Sequence, residues 1–121
     1  MSQPIEIRLS WPAKALQSNA RCHWSEKARA TKAARKEAWA AALEQKLPCW
    51  PEASIMIEYW PRTRRGDPQN VPSSLKAYID GIADAMGVDD RCFRVDYPTM
   101  FAGTKPGGEV VFRIYPGRGV L

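Results

Sequence analysis

The chain has 121 residues, of which 45% are hydrophobic and 26% are charged, and its formal net charge is +5. This length suits one globular domain with a modest core, and the composition excludes a disordered chain. No apolar run is long enough to span a membrane, and three widely spaced cysteines do not form a disulfide framework. We therefore expect one domain over residues 1–121 in a reducing compartment, with a polyanionic partner.

The first half of the chain predicts a strand, a helix and a second strand. Residues 5–9 alternate between apolar and polar side chains, which is the period of a half-buried strand. Ser25 is a suitable N-cap for a long, alanine-rich helix that reaches about Lys46. Residues 54–60 alternate again and predict the second strand.

The second half predicts another helix and two further strands. A polar loop precedes the helix, for which Ser73 or Ser74 is the expected N-cap and Gly87 the expected stop. The apolar stripe of this helix consists of Leu75, Ile79, Ile82 and Met86. Two strands follow, at residues 93–97 and 110–114. The order β-α-β-α-β-β predicts an α+β fold, with two main helices packed on one small mixed sheet of about four strands.

Acidic residues stand on both sides of the second predicted helix. Asp67 precedes it, and Asp89 and Asp90 follow it. Carboxylates that converge without neutralising partners favour a hard cation such as Mg²⁺ or Mn²⁺. Basic side chains that suit a phosphate-bearing substrate lie just before the helix, at Arg62, Arg64 and Arg65. The pattern therefore indicates metal-assisted chemistry on a phosphodiester.

The helix between these acids sets a geometric condition. A helix of about 13 residues is roughly 20 Å long, so its two ends are too far apart to share one ion. The fold must bring Asp89 or Asp90 back to the Asp67 loop, or a partner subunit must supply one of them.

Lys76 and Asp80 are four residues apart and share one face of the helix. They can form an ordinary surface ion pair. Alternatively, the lysine can lie beside the metal and stabilise negative charge on a phosphate or a leaving oxygen. The spacing is compatible with both.

The first helix carries a basic stripe formed by Arg29, Lys32 and Lys36. Such a stripe can bind DNA phosphates, or it can be a solvated helix face. We expect Trp24 and Trp39 of this helix to belong to the core or to an interface rather than to stack on bases.

Motifs of other site classes are missing. His23 is the only histidine and has no second ligand at zinc-finger spacing. The sequence also lacks a Gly-x-Ser-x-Gly nucleophile elbow, a phosphate-binding P-loop and a Gly-x-Gly-x-x-Gly turn.

In the order and spacing of its polar residues, the central segment resembles the RusA family of Holliday junction resolvases, endodeoxyribonucleases common in phages and prophages. The family hallmark is an Arg-rich loop leading to Asp-x-Asp-Asn, then a helix with Lys and Asp four apart, then Asp-Asp. The matching segments here are residues 64–70, 75–82 and 87–90. The N-terminal segment is similar as well, through Trp11-Pro12, Asn19-Ala20-Arg21 and His23-Trp24 before a basic helix.

The resemblance implies a Mg²⁺- or Mn²⁺-dependent homodimer in a bacterial cytoplasm, encoded by a phage, prophage or host genome, that nicks four-way DNA junctions symmetrically. Asp67 matches the first motif acid, Asp90 the later acid and Lys76 the catalytic lysine. Asp89 is a further candidate metal ligand, and Asn70 matches the motif asparagine. Arg62, Arg64, Arg65 and the first helix would bind the DNA backbone, and Asn70 is a further candidate DNA-binding residue.

The chain departs from the family motif at Gln69, which stands where the second acid is expected. The loop between Asn70 and Lys76 is also longer than in some members. Glutamine offers only a neutral carbonyl oxygen, so affinity for Mg²⁺ should fall. Three hypotheses follow: an active junction endonuclease, a junction-binding protein that does not cut, and a small protein-interaction module with solvating charges.

Overall fold

The computed structural model describes residues 4–17 and 21–119 and has the predicted order of strands and helices. Asn19 and Ala20, which contributed to the N-terminal resemblance, lie outside the described residues. The elements are β1 (Ile5–Ser10), α1 (Trp24–Glu44), β2 (Ala53–Trp60), α2 (Lys76–Met86), β3 (Phe93–Asp96) and β4 (Glu109–Pro116). The predicted α+β class, with one mixed four-stranded sheet and two main helices, is confirmed.

The sheet has the strand order β1-β4-β2-β3. β4 runs antiparallel to both β1 and β2, whereas β2 and β3 are parallel. Parallel neighbours need a crossover connection, and here α2 lies in the connection between β2 and β3. Phe112 of β4 is paired with Ile7 of β1 on one side and with Ile57 of β2 on the other, and all three are buried. This apolar row crosses three strands and forms the centre of the core.

The opposite face of the sheet is charged. Arg113 lies 3.0 Å from Glu58 and 3.3 Å from Glu6, and Arg8 lies 2.8 Å from Glu109. Because successive side chains of a strand point to opposite faces of the sheet, these ion pairs lie on one face and the buried apolar row lies on the other. The alternation of apolar and polar residues in the sequence predicted this arrangement. The helices pack on the apolar face, where the ring of Tyr78 meets that of Phe112 edge-on at a centroid distance of 6.1 Å.

The two helices approach each other closely because their facing residues are small. Ala34, Ala38 and Ala42 recur every fourth residue of α1 and are all buried. Across from them, a Cβ atom built on Gly81 of α2 would lie only 2.2 Å from the carbonyl oxygen of Arg35. The Arg35 guanidinium also binds both carboxylate oxygens of Asp84, at 2.5 and 2.8 Å. The helix backbones are therefore in direct contact at this crossing.

Ser10, at the end of β1, ties both helices to the sheet. The Glu37 carboxylate of α1 accepts hydrogen bonds from the Ser10 backbone N–H at 2.9 Å and from its hydroxyl at 2.8 Å. The Tyr78 hydroxyl of α2 donates to the Ser10 carbonyl oxygen at 2.7 Å. Ser10 of the edge strand β1 is therefore hydrogen-bonded to both helices.

Two predicted helix caps are wrong. His23, rather than Ser25, caps α1, because its Nδ1 atom accepts the Ser25 backbone N–H at 3.2 Å. Before α2, residues 72–75 form a separate 3₁₀ turn, in which the Ser74 hydroxyl donates to the Val71 carbonyl. The predicted stop at Gly87 is confirmed, and its φ of 72° is the left-handed conformation that glycine allows.

Replacing Gly81 with alanine should lower the free energy of unfolding by about 1–3 kcal/mol, because the new methyl group overlaps the α1 backbone. The higher helix propensity of alanine offsets only about 1 kcal/mol. Urea denaturation measures the change. The control is Gly119→Ala, whose added Cβ meets no atom within 4 Å and which should shift stability by less than about 0.5 kcal/mol. Equal stability of the two variants would contradict the close helix crossing.

Candidate functional site

The loop between β2 and α2 positions Asp67 by a local cap. Residues 68–70 form a 3₁₀ turn, and Asp67 Oδ1 accepts the backbone N–H of Gln69 at 2.9 Å. The Asp67 carbonyl oxygen accepts the N–H of Asn70 at 3.0 Å. Gly66, with a φ of 96°, supplies the bend just before the turn. One carboxylate oxygen of Asp67 is therefore committed to the loop, while the side chain remains exposed.

A cavity of about 450 Å³ opens beside Asp67. One part of its wall is aromatic and consists of Trp11 and Phe101. The polar part includes Arg62, Arg65, Asp67 and Asn70. The fold thus brings four of the sequence-predicted site residues around one space. The other two predicted residues of this loop, Arg64 and Gln69, are exposed and do not contribute to the lining among the described residues.

The loop between β3 and β4 forms one wall of this cavity and is held in place by backbone hydrogen bonds. The N–H of Ala102 donates to the Tyr59 carbonyl at 2.9 Å, and the N–H of Lys105 donates to the Pro61 carbonyl at 3.0 Å. Gly108 packs directly against Trp11, because a Cβ there would lie 2.8 Å from the Trp11 Cβ. These contacts hold the aromatic wall in place.

Lys76 joins two carboxylates at the start of α2. Its ammonium donates to Asp80 Oδ1 at 2.8 Å and also to Asp90 Oδ2. The hydrogen bonds to Asp80 and then to Asp90 raise the pKa of Lys76 above its ordinary value. The predicted helix ion pair is present, and Asp90 returns from the far end of α2 to the same lysine. Its approach to Asp67 stays a prediction.

Asp89 and Asp90 face different partners although they are adjacent. Asp89 Oδ1 accepts the Arg91 backbone N–H at 2.9 Å and lies 3.3 Å from the guanidinium Nε of Arg91. These two interactions lower the pKa of Asp89 to about 2. The Asp89 carboxylate is therefore already neutralised by its neighbour, whereas that of Asp90 faces the Lys76 ammonium.

The oxygen donors have the chemistry that Mg²⁺ and Mn²⁺ prefer, but they fall into two clusters. Asp80 and Asp90 converge on one positive charge, and Asp67 lies in the neighbouring loop with two amide side chains, Gln69 and Asn70. Within residues 4–17 and 21–119, no three His, Cys, Asp or Glu side chains are grouped closely enough to hold one ion. The residue types fit a divalent ion, with Asp80 and Asp90 as the carboxylates that already converge.

The exposed surface of α1 carries the predicted basic stripe. Arg29, Lys32 and Lys36 are exposed, and none of them forms an ion pair with another described residue. Trp24 and Trp39 are 76% and 41% exposed, so they do not belong to the core of this chain, and the alternative that they lie in an interface stays a prediction. Neither helix, in the part of the chain that the structure describes, has the length and apolar character needed to cross a bilayer.

Sequence reasoning missed the aromatic wall and the second partner of Lys76. Trp11 belongs to the Trp-Pro pair noted in the resemblance, but nothing in its spacing places it beside Asp67. Phe101 lies in an irregular segment with no period. Asp80 was paired with Lys76 from its spacing, yet its sharing of that lysine with Asp90 depends on the chain path after α2.

A comparison of the chain with models of known protein families finds no match. A protein of Xylella fastidiosa, described as an uncharacterized protein, is 37% identical over 120 residues. The aligned part covers 94% of this chain and 78% of that protein.

Replacing Asp80 with asparagine should lower the pKa of Lys76 toward its ordinary value, and Asp90→Asn should lower it less. The reason is that each carboxylate favours the charged ammonium. Because the pKa of Lys76 is raised in the folded state, the cluster of Lys76, Asp80 and Asp90 stabilises the folded protein at neutral pH. This contribution is lost as the pH rises through the folded-state pKa of Lys76. NMR titration of the lysine Cε signals measures the shift, with exposed Asp96→Asn as control. Unchanged Lys76 titration in both variants would contradict the cluster.

Proposed function

This chain belongs to the same family as the Xylella fastidiosa protein, and we propose that it is a RusA-like, structure-selective endodeoxyribonuclease that resolves four-way DNA junctions. The observation that carries the proposal is the return of Asp90 to the first turn of α2, where it shares Lys76 with Asp80. Helix length alone would keep Asp90 away from the residues that precede α2. Its position supports a composite site assembled from both ends of the helix.

In this proposal Asp67 and Asp90 hold Mg²⁺ or Mn²⁺, with the amide oxygen of Gln69 as a further donor. Such an ion, when bound, stabilises charge on the phosphate and lowers the pKa of water. Asp90 suits this role better than Asp89, because Asp89 is bound by the backbone and guanidinium of Arg91.

Lys76 stabilises the charge that develops on the phosphate or the leaving oxygen. Its side chain is 62% exposed, so a phosphodiester can approach it from solvent. Asp80 acts as a positioning residue, because its hydrogen bond would hold the lysine when Asp90 turns toward a metal ion. The same two carboxylates raise the pKa of Lys76, so its ammonium stays charged to higher pH than that of an ordinary lysine.

The DNA backbone is bound by two basic surfaces. Arg62 and Arg65 line the cavity beside Asp67, and Arg64 is exposed on the same loop. The second surface is the α1 stripe of Arg29, Lys32 and Lys36. Cations that contact phosphates give salt-dependent affinity with little base specificity, which suits a protein that recognises DNA shape.

A four-way junction has approximate two-fold symmetry, and a C2 homodimer would present two identical sites to it. The exposed apolar side chains of α1 are available for such a contact, since Trp39 is 41% and Leu43 47% exposed. Paired nicks on opposite strands then follow from the symmetry of the dimer.

A second candidate function is junction binding without cleavage. Two observations favour it: Gln69 replaces a motif acid, and within the described ranges no three acidic, His or Cys side chains form a metal-holding group. The basic surfaces would be the same in both cases, so a cleavage assay has to separate them.

Incubation with a synthetic four-way junction tests the proposal. We expect paired nicks in the presence of Mg²⁺ or Mn²⁺, and we expect Asp67→Asn to reduce the rate by about 10²-fold or more, because it removes a charged ligand. Asp96→Asn, an exposed acid on β3, is the matched control and should cut normally. Tight, salt-sensitive binding without nicking would establish the second candidate, and no junction binding at low salt would exclude both.

Gln69→Asp should restore the motif acid. The half-maximal Mg²⁺ concentration for cleavage is expected to fall by about 10-fold, since a carboxylate replaces a neutral amide oxygen. Ser73→Asp adds the same charge to an exposed position on the segment before α2 and serves as the control for charge alone. An unchanged Mg²⁺ requirement in Gln69→Asp would show that position 69 does not contact the ion.

A further inference from the structure

We infer that the cavity beside Asp67 receives one unpaired nucleobase of the DNA substrate, stacked on the aromatic wall formed by Trp11 and Phe101. This inference rests on the proposed function, because it takes the strand bound by the neighbouring arginines to be DNA. It adds a recognition site for a base to a surface that otherwise contacts only phosphates.

The size and aromatic wall of the cavity suit a flat ring. Its volume of about 450 Å³ lies in the usual range for sites that enclose small organic groups, which is about 300–1,000 Å³. The Trp11 and Phe101 rings meet at a centroid distance of 6.4 Å and an angle of 74°. Both residues are only partly buried, so part of each ring stays accessible from the cavity. Stacking on such side chains stabilises bound bases by about 1–3 kcal/mol each.

The polar wall matches the rest of a nucleotide. The Asn70 side chain offers both a donor and an acceptor, as needed to pair with the edge of a base. Arg62 and Arg65 are exposed cations on the same cavity, and neither forms an ion pair with another described residue. A purely apolar ligand would leave these three groups unused, whereas a nucleotide satisfies both walls.

The cavity also explains how structure selectivity could arise. The backbone hydrogen bonds of Ala102 and Lys105 hold the loop that carries Phe101, so the aromatic wall keeps its place beside the site loop. A base inside a regular duplex must first be unpaired and unstacked, which costs a few kcal/mol, and the cost is least where pairing is already interrupted. At a branch point the continuous stacking of the duplex is interrupted, so a base there can be extruded at a lower cost. DNA with a branch is therefore bound more tightly than a continuous duplex.

A thermodynamic cycle between protein and DNA tests this inference. Binding is measured in EDTA at fixed salt, to a four-way junction with all bases and to the same junction lacking one base beside the branch. We expect removal of the base to weaken binding by wild-type protein about 5- to 100-fold. Phe101→Leu should weaken binding to the complete junction by a similar factor and should show no further loss on the abasic junction.

Trp24→Leu removes an exposed tryptophan outside the cavity lining and should leave the effect of base removal unchanged. If Phe101→Leu does not fold, Asn70→Ala, at an exposed loop position, completes the same cycle. Additive losses from the protein and DNA changes would overturn the inference. The inference would also be overturned if a free deoxynucleoside monophosphate bound saturably, with a loss in Phe101→Leu, while base removal in DNA had no effect. The ligand of the cavity would then be a free nucleotide.

The cycle is independent of the cleavage assay. Nicking of junctions with additive binding losses would retain the proposed nuclease and reject the base pocket. Coupled losses without nicking would retain the base pocket on a protein that binds junctions and does not cut them.

Discussion

The close crossing of α1 and α2 is the constraint on which the site depends. Gly81 lies where α2 meets the backbone of α1, and Ala38 leaves the room for it. Because a larger residue at either position would separate the helices, this contact sets how closely α2 lies to α1. α2 in turn carries Lys76 at one end and leads to Asp90 at the other. The small residues at the crossing therefore fix the position of the helix that carries the charged cluster of Lys76, Asp80 and Asp90.

The distribution of paired and unpaired charges separates the two sides of the molecule. On the outer face of the sheet, Arg8 and Arg113 are bound by glutamates of neighbouring strands. Such exposed pairs contribute little to stability, at most about 1 kcal/mol each. Their larger effect is to neutralise that face, so that the net charge of +5 is carried mainly by the site loop and by α1. A polyanion would be drawn to this side rather than to the sheet.

Each aspartate around α2 has a distinct environment, and the environments indicate distinct roles. Asp84 is committed to Arg35 and holds the helices together, and its pKa is lowered by that guanidinium. Asp89 is committed to Arg91, and Asp67 caps its own turn through one oxygen. Asp80 and Asp90 share a lysine that has only one charge, so this pair keeps a net negative charge. In the proposed function, this excess of acid beside a basic surface is where a divalent ion would join DNA to the protein.

The sequence by itself determined the fold class, because the alternation of residues 54–60 and 110–114 and the four-residue spacing of the α2 stripe reflect local burial periods. It also indicated the Asp67 loop, Lys76 with Asp80, and the basic stripe of α1, all of which depend on spacing within one segment. Tertiary structure alone decided the partner of Asp90 and the aromatic wall of Trp11 and Phe101. Those contacts join residues far apart in the chain, and they follow from how α2 and the β3–β4 loop pack on the sheet. Local periodicity carries no information about that packing.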